Sequence, residues 1–128
     1  MNYYISKIID MNFDKAVSHV TEELSKEGFG VLSDIDVQAT LKKKLNQEIK
    51  PYRILGACNP PFAHRALVAE NKIGTMLPCN VIVRQTDDDK IEVAAVDPIA
   101  SMQAIENSEL EPIAKEVKQR LAKVVAAI

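Results

Sequence analysis

The stretch CNVIVRQTDDDKIEVAAV, Cys79 to Val96, decides how this chain folds. Two runs rich in β-branched residues, Cys79 to Gln85 and Lys90 to Val96, flank Thr86-Asp87-Asp88-Asp89. A polar turn between two strand-forming runs marks a β-hairpin, so the fold is built around an antiparallel pair. Glu92 alternates outward between Ile91 and Val93 and reads as solvated. The three aspartates match a calcium loop only in charge, lacking the glycine and distal glutamate of an EF-hand, and read as a solvated turn.

Working upstream, Gly74 opens a tight connection through Thr75, Met76 and Leu77 to Pro78. Asn59 followed by Pro60 is a helix-start signal, a capping residue before a first-turn proline, for a helix to about Asn71. Tyr52 to Cys58 reads as a third strand, with Tyr52, Ile54 and Ala57 or Leu55 competing for the inner face. Phe29 to Ile35 reads as a second strand, and Asp36 caps a shorter helix, Val37 to about Glu48, that Pro51 ends. Tyr3 to Ile9 is a first strand. Asn12 then caps a helix to about Glu27, with Phe13, Ala16, Val17, Val20 and Leu24 at helical spacing and Gly28 as the stop.

Downstream of the hairpin, Asp97-Pro98 leads into a short helical piece, Ile99 to Ile105. A final helix starts at Ser108 or Glu109 and carries the stripe Ile113, Val117, Leu121, Val124 and Ile128. The order β-α-β-(α)-β-(α)-β-β-α describes an α+β domain. Its sheet is five-stranded and mostly antiparallel, with the long first and last helices packed on it.

The 128 residues make one domain, 1–128, and 47% apolar with 27% charged residues is ordinary for a globular protein. Sixteen basic and 18 acidic residues leave a net charge of −2, the wrong balance for neutralising phosphates, so no nucleic-acid partner is expected. Lys42-Lys43-Lys44 lies beside Leu41 and Leu45 and reads as the wet face of a helix. The amino terminus has no signal-peptide pattern, and no apolar run approaches the roughly 18–20 residues that span a bilayer. A cytoplasmic location, no membrane partner and reduced thiols at Cys58 and Cys79 are the expectations.

Those two cysteines are each followed by asparagine and lie close to proline, in Ala57-Cys58-Asn59-Pro60-Pro61 and Leu77-Pro78-Cys79-Asn80. The segments Tyr52 to Pro60, Ile73-Gly74 through Leu77 to Val81, and Val96-Asp97-Pro98 resemble domain-of-unknown-function family 302 over nearly the whole chain. The resemblance implies a TATA-binding-protein-like α+β fold and small stand-alone prokaryotic proteins that form dimers. It implies no activity, and the fold name carries no DNA binding.

The candidate site gathers Cys58, Asn59, Cys79, Asn80, Asp97 and His64. Cys58 ends a strand just before a helix amino terminus, a position that favours thiolate, whereas a packed cysteine serves equally as a small hydrophobe. Cys58, Cys79 and His64 are acceptable metal ligands, with Asp97 a further one, although twenty residues between the cysteines match neither a Cys-x-x-Cys redox motif nor a zinc knuckle. His64, on a helix beside Arg65, reads more simply as a surface residue. Asn59 reads as a cap and Asp97 as a cap ahead of Pro98, with general-base work the alternative. Asn80 opens a strand, where asparagine is depleted, and if buried it needs a hydrogen-bonding partner.

No Ser–His–acid set, glycine-rich phosphate loop or Rossmann fingerprint is visible, and no cofactor is expected. The first reading is a homodimeric module that binds or senses a small molecule or ion. The alternatives are a thiol-based redox or metal-dependent enzyme using Cys58 and Cys79, and a structural dimer without a ligand.

Overall fold

The computed structural model describes residues 2–128. Its elements are β1 (Tyr4–Ile9), α1 (Phe13–Lys26), β2 (Gly30–Asp36), α2 (Val37–Leu45) and β3 (Tyr52–Cys58). These are followed by α3 (Pro60–Ala69), a 3₁₀ turn (Ile73–Met76), β4 (Cys79–Gln85), β5 (Ile91–Val96), α4 (Pro98–Ser101) and α5 (Leu110–Ala127). The strands form one open sheet in the order β1-β5-β4-β3-β2, and each neighbouring pair is antiparallel. β4 and β5 pair antiparallel, as the hairpin Cys79 to Val96 implies, and both lie inside the sheet rather than at an edge.

β1 and β2 follow each other in sequence but occupy opposite edges, so α1 carries the chain across the sheet. Asn12 accepts a hydrogen bond from the Lys15 N–H at 3.2 Å, and the helix buries Ala16, Val20 and Leu24. Its end is a Schellman motif: Phe29 N–H bonds Leu24 O at 3.0 Å and Gly28 N–H bonds Ser25 O at 3.1 Å. That closure needs the left-handed conformation of Gly28, φ +86°, which glycine adopts without steric cost.

One face of the sheet carries the core. Val81 lies between Leu55 and Ala95, and Val83 lies opposite Val93. These side chains pack with α1 and with Ile113, Val117, Leu121 and Val124 of α5. Each fully buried Val, Leu or Ile contributes about 1.5–3 kcal/mol by leaving water, so this single interior layer dominates the stability. Lys7 of β1 donates to the carbonyls of Ala126 and Ile128 at 3.1 and 2.8 Å. A cation there suits the negative end of the α5 dipole.

The competition on β3 resolves with Leu55 and Ala57 buried, and Tyr52 and Ile54 half-buried on the opposite face. Three sequence expectations change. α2 stops at Leu45, three residues short of Glu48, because Asn46 turns left-handed at φ 52° and none of the helix's apolar residues is fully buried. The piece after Asp97 is only Pro98–Ser101 in regular helix, shorter than Ile99 to Ile105. Glu92 is half-buried rather than freely solvated, since it faces Arg84 across the ladder and accepts from Arg84 Nε at 2.7 Å.

Candidate functional site

β3 and β4 end side by side, with Ala57 paired to Cys79. Beyond them the chain turns into α3 on one side and, through the cis Leu77–Pro78 peptide, arrives from the 3₁₀ turn on the other. α5 runs behind. Between these elements lies a cavity of about 290 Å³, lined by Cys58 and Cys79, by Phe62 and Ala66 of α3, and by Ile113 and Val117 of α5, among others. Leu32 stands at its rim, 72% exposed. The bulge between Val31 and Ser33, which pairs them with the consecutive residues Ala57 and Gly56, leaves Leu32 without a partner in the ladder.

Burial pushes the Cys79 thiol up to about 11, and the neighbouring Cys58 adds to the effect. At neutral pH Cys79 is therefore a protonated, nearly apolar wall group rather than a thiolate. Cys58 is half-buried, and both cysteines are free.

Asn59 is 93% buried yet does not cap α3 with its side chain. The prolines at 60 and 61 remove the first two N–H groups such a cap would offer. Asn59 Nδ2 donates instead to Glu27 O at 3.1 Å, a carbonyl at the end of α1. Arg120 Nη1 donates to the same oxygen at 3.2 Å. A Cβ at Gly28 would come within 3.1 Å of Asn59 Nδ2, so the left-handed glycine also leaves room for this contact.

Phe62 separates the pocket from two guanidinium groups. Arg120 lies 5.1 Å from its ring centroid and Arg65 lies 5.5 Å away, both within cation–π range. Arg120 thus joins α5 to the α1 terminus and to the pocket wall. Its place in the sequence, on the polar side of an amphipathic helix, carries no sign of that role.

The remaining candidates lie elsewhere. Asn80 is exposed on the opposite face of the sheet, so it needs no buried partner. His64 is exposed on α3. Asp97 caps α4, accepting from Ile99 N–H at 2.9 Å and Ala100 N–H at 3.3 Å, and pairs with Lys118 at 2.9 Å. Cys58, Asn59 and Cys79 share the pocket lining; Asn80, His64 and Asp97 do not. Among the described residues no group of three or more His, Cys, Asp or Glu side chains is placed to hold a metal ion.

Burial on its own would raise the Asp97 pKa, but the Lys118 ammonium and the two α4 N–H groups outweigh it and hold the carboxyl below its ordinary value. A depressed folded pKa stabilises above the unfolded value of about 3.9, and that contribution is lost as pH falls through the folded one. Asp97→Ala is expected to cost about 1–2 kcal/mol at pH 7, mostly from the lost α4 cap, since Lys118 is 40% exposed and stays solvated without its partner. Urea unfolding from pH 7 down to pH 2 checks this: the gap between variant and wild type narrows only below about pH 4.

The DUF302 family, described as a domain of unknown function, matches residues 5–128. The chain belongs to this family. A crystal structure of an uncharacterised conserved DUF302 protein from Bacillus stearothermophilus superposes with a TM-score of 0.92 at 26% identity, covering 98% of each chain. No curated protein matches the chain in sequence. The α+β fold expected from the hairpin outward is thus shared with a solved DUF302 structure. Among the described residues no helix is long and apolar enough to cross a membrane.

Proposed function

We propose that this DUF302 protein is a homodimeric binding module for a small, neutral, largely apolar molecule held in the Cys58–Cys79 pocket. The observation that carries the reading is the lining: about 290 Å³ enclosed by aliphatic, aromatic and thiol groups, with the Asn59 amide and no charged side chain. Pockets of this kind bind by apolar burial and use one or two polar groups for orientation. An ion would lose its hydration there without gaining a counter-charge, so the small-molecule half of the binding hypothesis is the better supported. The thiol-enzyme alternative has less support, because Cys79 stays protonated near neutral pH and the two thiols have no third ligand among the described residues.

N-phenyl-1-naphthylamine, a neutral apolar fluorophore, is a suitable probe. Saturable fluorescence enhancement with one site per chain is expected, together with a rise in melting temperature as the ligand loads the folded state. Ala63, half-buried in α3 and lining the pocket, is the position for a block. Ala63→Phe should weaken probe binding at least tenfold while the variant keeps its fold by circular dichroism. A wild type that never saturates, or a variant that binds as well, refutes the reading.

A further inference from the structure

Asn59 is the one amide side chain in a pocket otherwise walled by aliphatic, aromatic and thiol groups, and it is only 7% exposed. The orientation of its amide is fixed by chemistry. Glu27 O can only accept, so the atom 3.1 Å from it is the Nδ2 donor and Oδ1 turns the other way. Arg120 Nη1 donates to the same carbonyl at 3.2 Å and helps to hold it in place.

The usual taker of an asparagine Oδ1 at this position is the amino terminus of the following helix. Pro60 and Pro61 bring no N–H to that end of α3, and Asn59 makes no side-chain cap bond there. Among the described residues Oδ1 accepts no hydrogen bond. Among them, too, Arg120 Nε is the one occluded side-chain N or O atom left without a partner. Oδ1 therefore stays accessible, and the opening that Asn59 lines is the pocket.

We propose that the pocket selects neutral ligands bearing a hydrogen-bond donor, a hydroxyl or an N–H, and that Asn59 Oδ1 is the acceptor that selects them. The proposal rests on the apolar-pocket reading and narrows its ligand class. A carbonyl or ether oxygen would set lone pairs against Oδ1. A wholly apolar ligand would displace water from Oδ1 and leave the acceptor unsatisfied, which costs more than a made hydrogen bond returns. An ammonium could donate, but it would leave water for a pocket with no carboxylate. A phenol or an alcohol avoids all three penalties. The thiols are weak hydrogen-bonding groups by comparison, and burial keeps Cys79 protonated.

Displacement of N-phenyl-1-naphthylamine, itself an N–H donor, by three naphthalenes of similar size at pH 7 tests the selection. Apolar burial alone ranks 1-methylnaphthalene ahead of 1-naphthol. The opposite order is expected, with 1-naphthol at least about fivefold tighter because its methyl analogue strands the acceptor. 1-Methoxynaphthalene, with an oxygen but no donor, should group with the methyl compound. Asn59→Leu keeps the volume, removes Oδ1 and should abolish the preference. Loss of the Glu27 bond also lowers the variant's stability, but the ratio of two ligands on one protein is blind to that. If Asn59→Leu does not fold, the wild-type ranking decides alone. A wild type that binds 1-methylnaphthalene as tightly as 1-naphthol overturns the selection. So does 1-naphthol that fails to displace the probe, or a folded Asn59→Leu that keeps the preference. The pocket reading survives each of these while the probe saturates; a probe that never saturates removes the pocket and the selection together.

Discussion

Phe62→Ala is expected to lower stability by about 3–5 kcal/mol, the usual range for removing a buried aromatic ring. Phe62 is 9% exposed, forms a pocket wall, and lies between Arg65 and Arg120. Truncation joins the pocket to the space in front of Arg120 and removes the π face from two guanidinium groups. Arg120 Nε is buried without a hydrogen bond, 3.5 Å from Glu116 Oε1, and the guanidinium lies against the face of the ring. Phe62→Leu keeps most of the volume and should cost about 1.5 kcal/mol, whereas Arg65→Ala, at an exposed position, should stay within about 0.5 kcal/mol. Urea denaturation of the three variants checks the order. A Phe62→Ala cost below that of Phe62→Leu would show that the ring does not organise this end of the molecule.

Gly56→Val is expected to cost about 3 kcal/mol, at the upper end of overpacking penalties. A Cβ at Gly56 would overlap Ser33 Oγ and approach Pro78 Cγ to 2.8 Å. The serine hydroxyl can rotate away, but the proline ring is tied to the start of β4 and cannot. A side chain on Gly56 therefore pushes β3 away from Pro78 and disturbs the adjacent Ala57–Cys79 pair in the pocket wall. A melting-temperature drop of the order of 10 °C corresponds to that loss in a domain of this size. Gly56→Ala should fall between wild type and Gly56→Val, and adding Ser33→Ala should recover only part of the loss. Gly30→Ala is the control, since nothing lies within 4 Å of its Cβ position. If Gly56→Val melts with wild type, the close approach of Pro78 has no energetic weight.

The sequence is legible wherever one local rule acts alone. Asn12, the Ala16–Val20–Leu24 stripe and Gly28 announce α1 through capping, period and stop, and each occurs where expected. The hairpin Cys79 to Val96 likewise announces its antiparallel pair. Local rules fail where two of them compete. Asn59 looks like a cap because it precedes proline, but two prolines leave few N–H groups to cap, and a carbonyl 32 residues away takes the amide instead. α2 shows a helical period without the burial to extend it, so Asn46 ends it early.

Five of the six candidate residues, all but His64 on α3, share one property in sequence, polar or thiol groups near strand ends, and no local signal says which surface each will join. Cys79 and Asn80 are adjacent, and a strand sends adjacent side chains to opposite faces. One lines the pocket under α5 and the other opens onto the bare face. Asp97 was readable as a cap, but its salt bridge to Lys118 depends on how α5 lies across the strand ends.

By itself the sequence determined the elements, their order and the antiparallel hairpin, because these follow from periodicity, capping and turn chemistry over a few residues at a time. Only the tertiary structure decided that β1 and β2 part to opposite edges, that Asn80 leaves the surface Cys58, Asn59 and Cys79 share, and that Arg120 reaches Phe62 and Glu27. Those outcomes depend on which elements are neighbours in space, and neighbourhood in space is set by burying one common apolar face rather than by any local pattern.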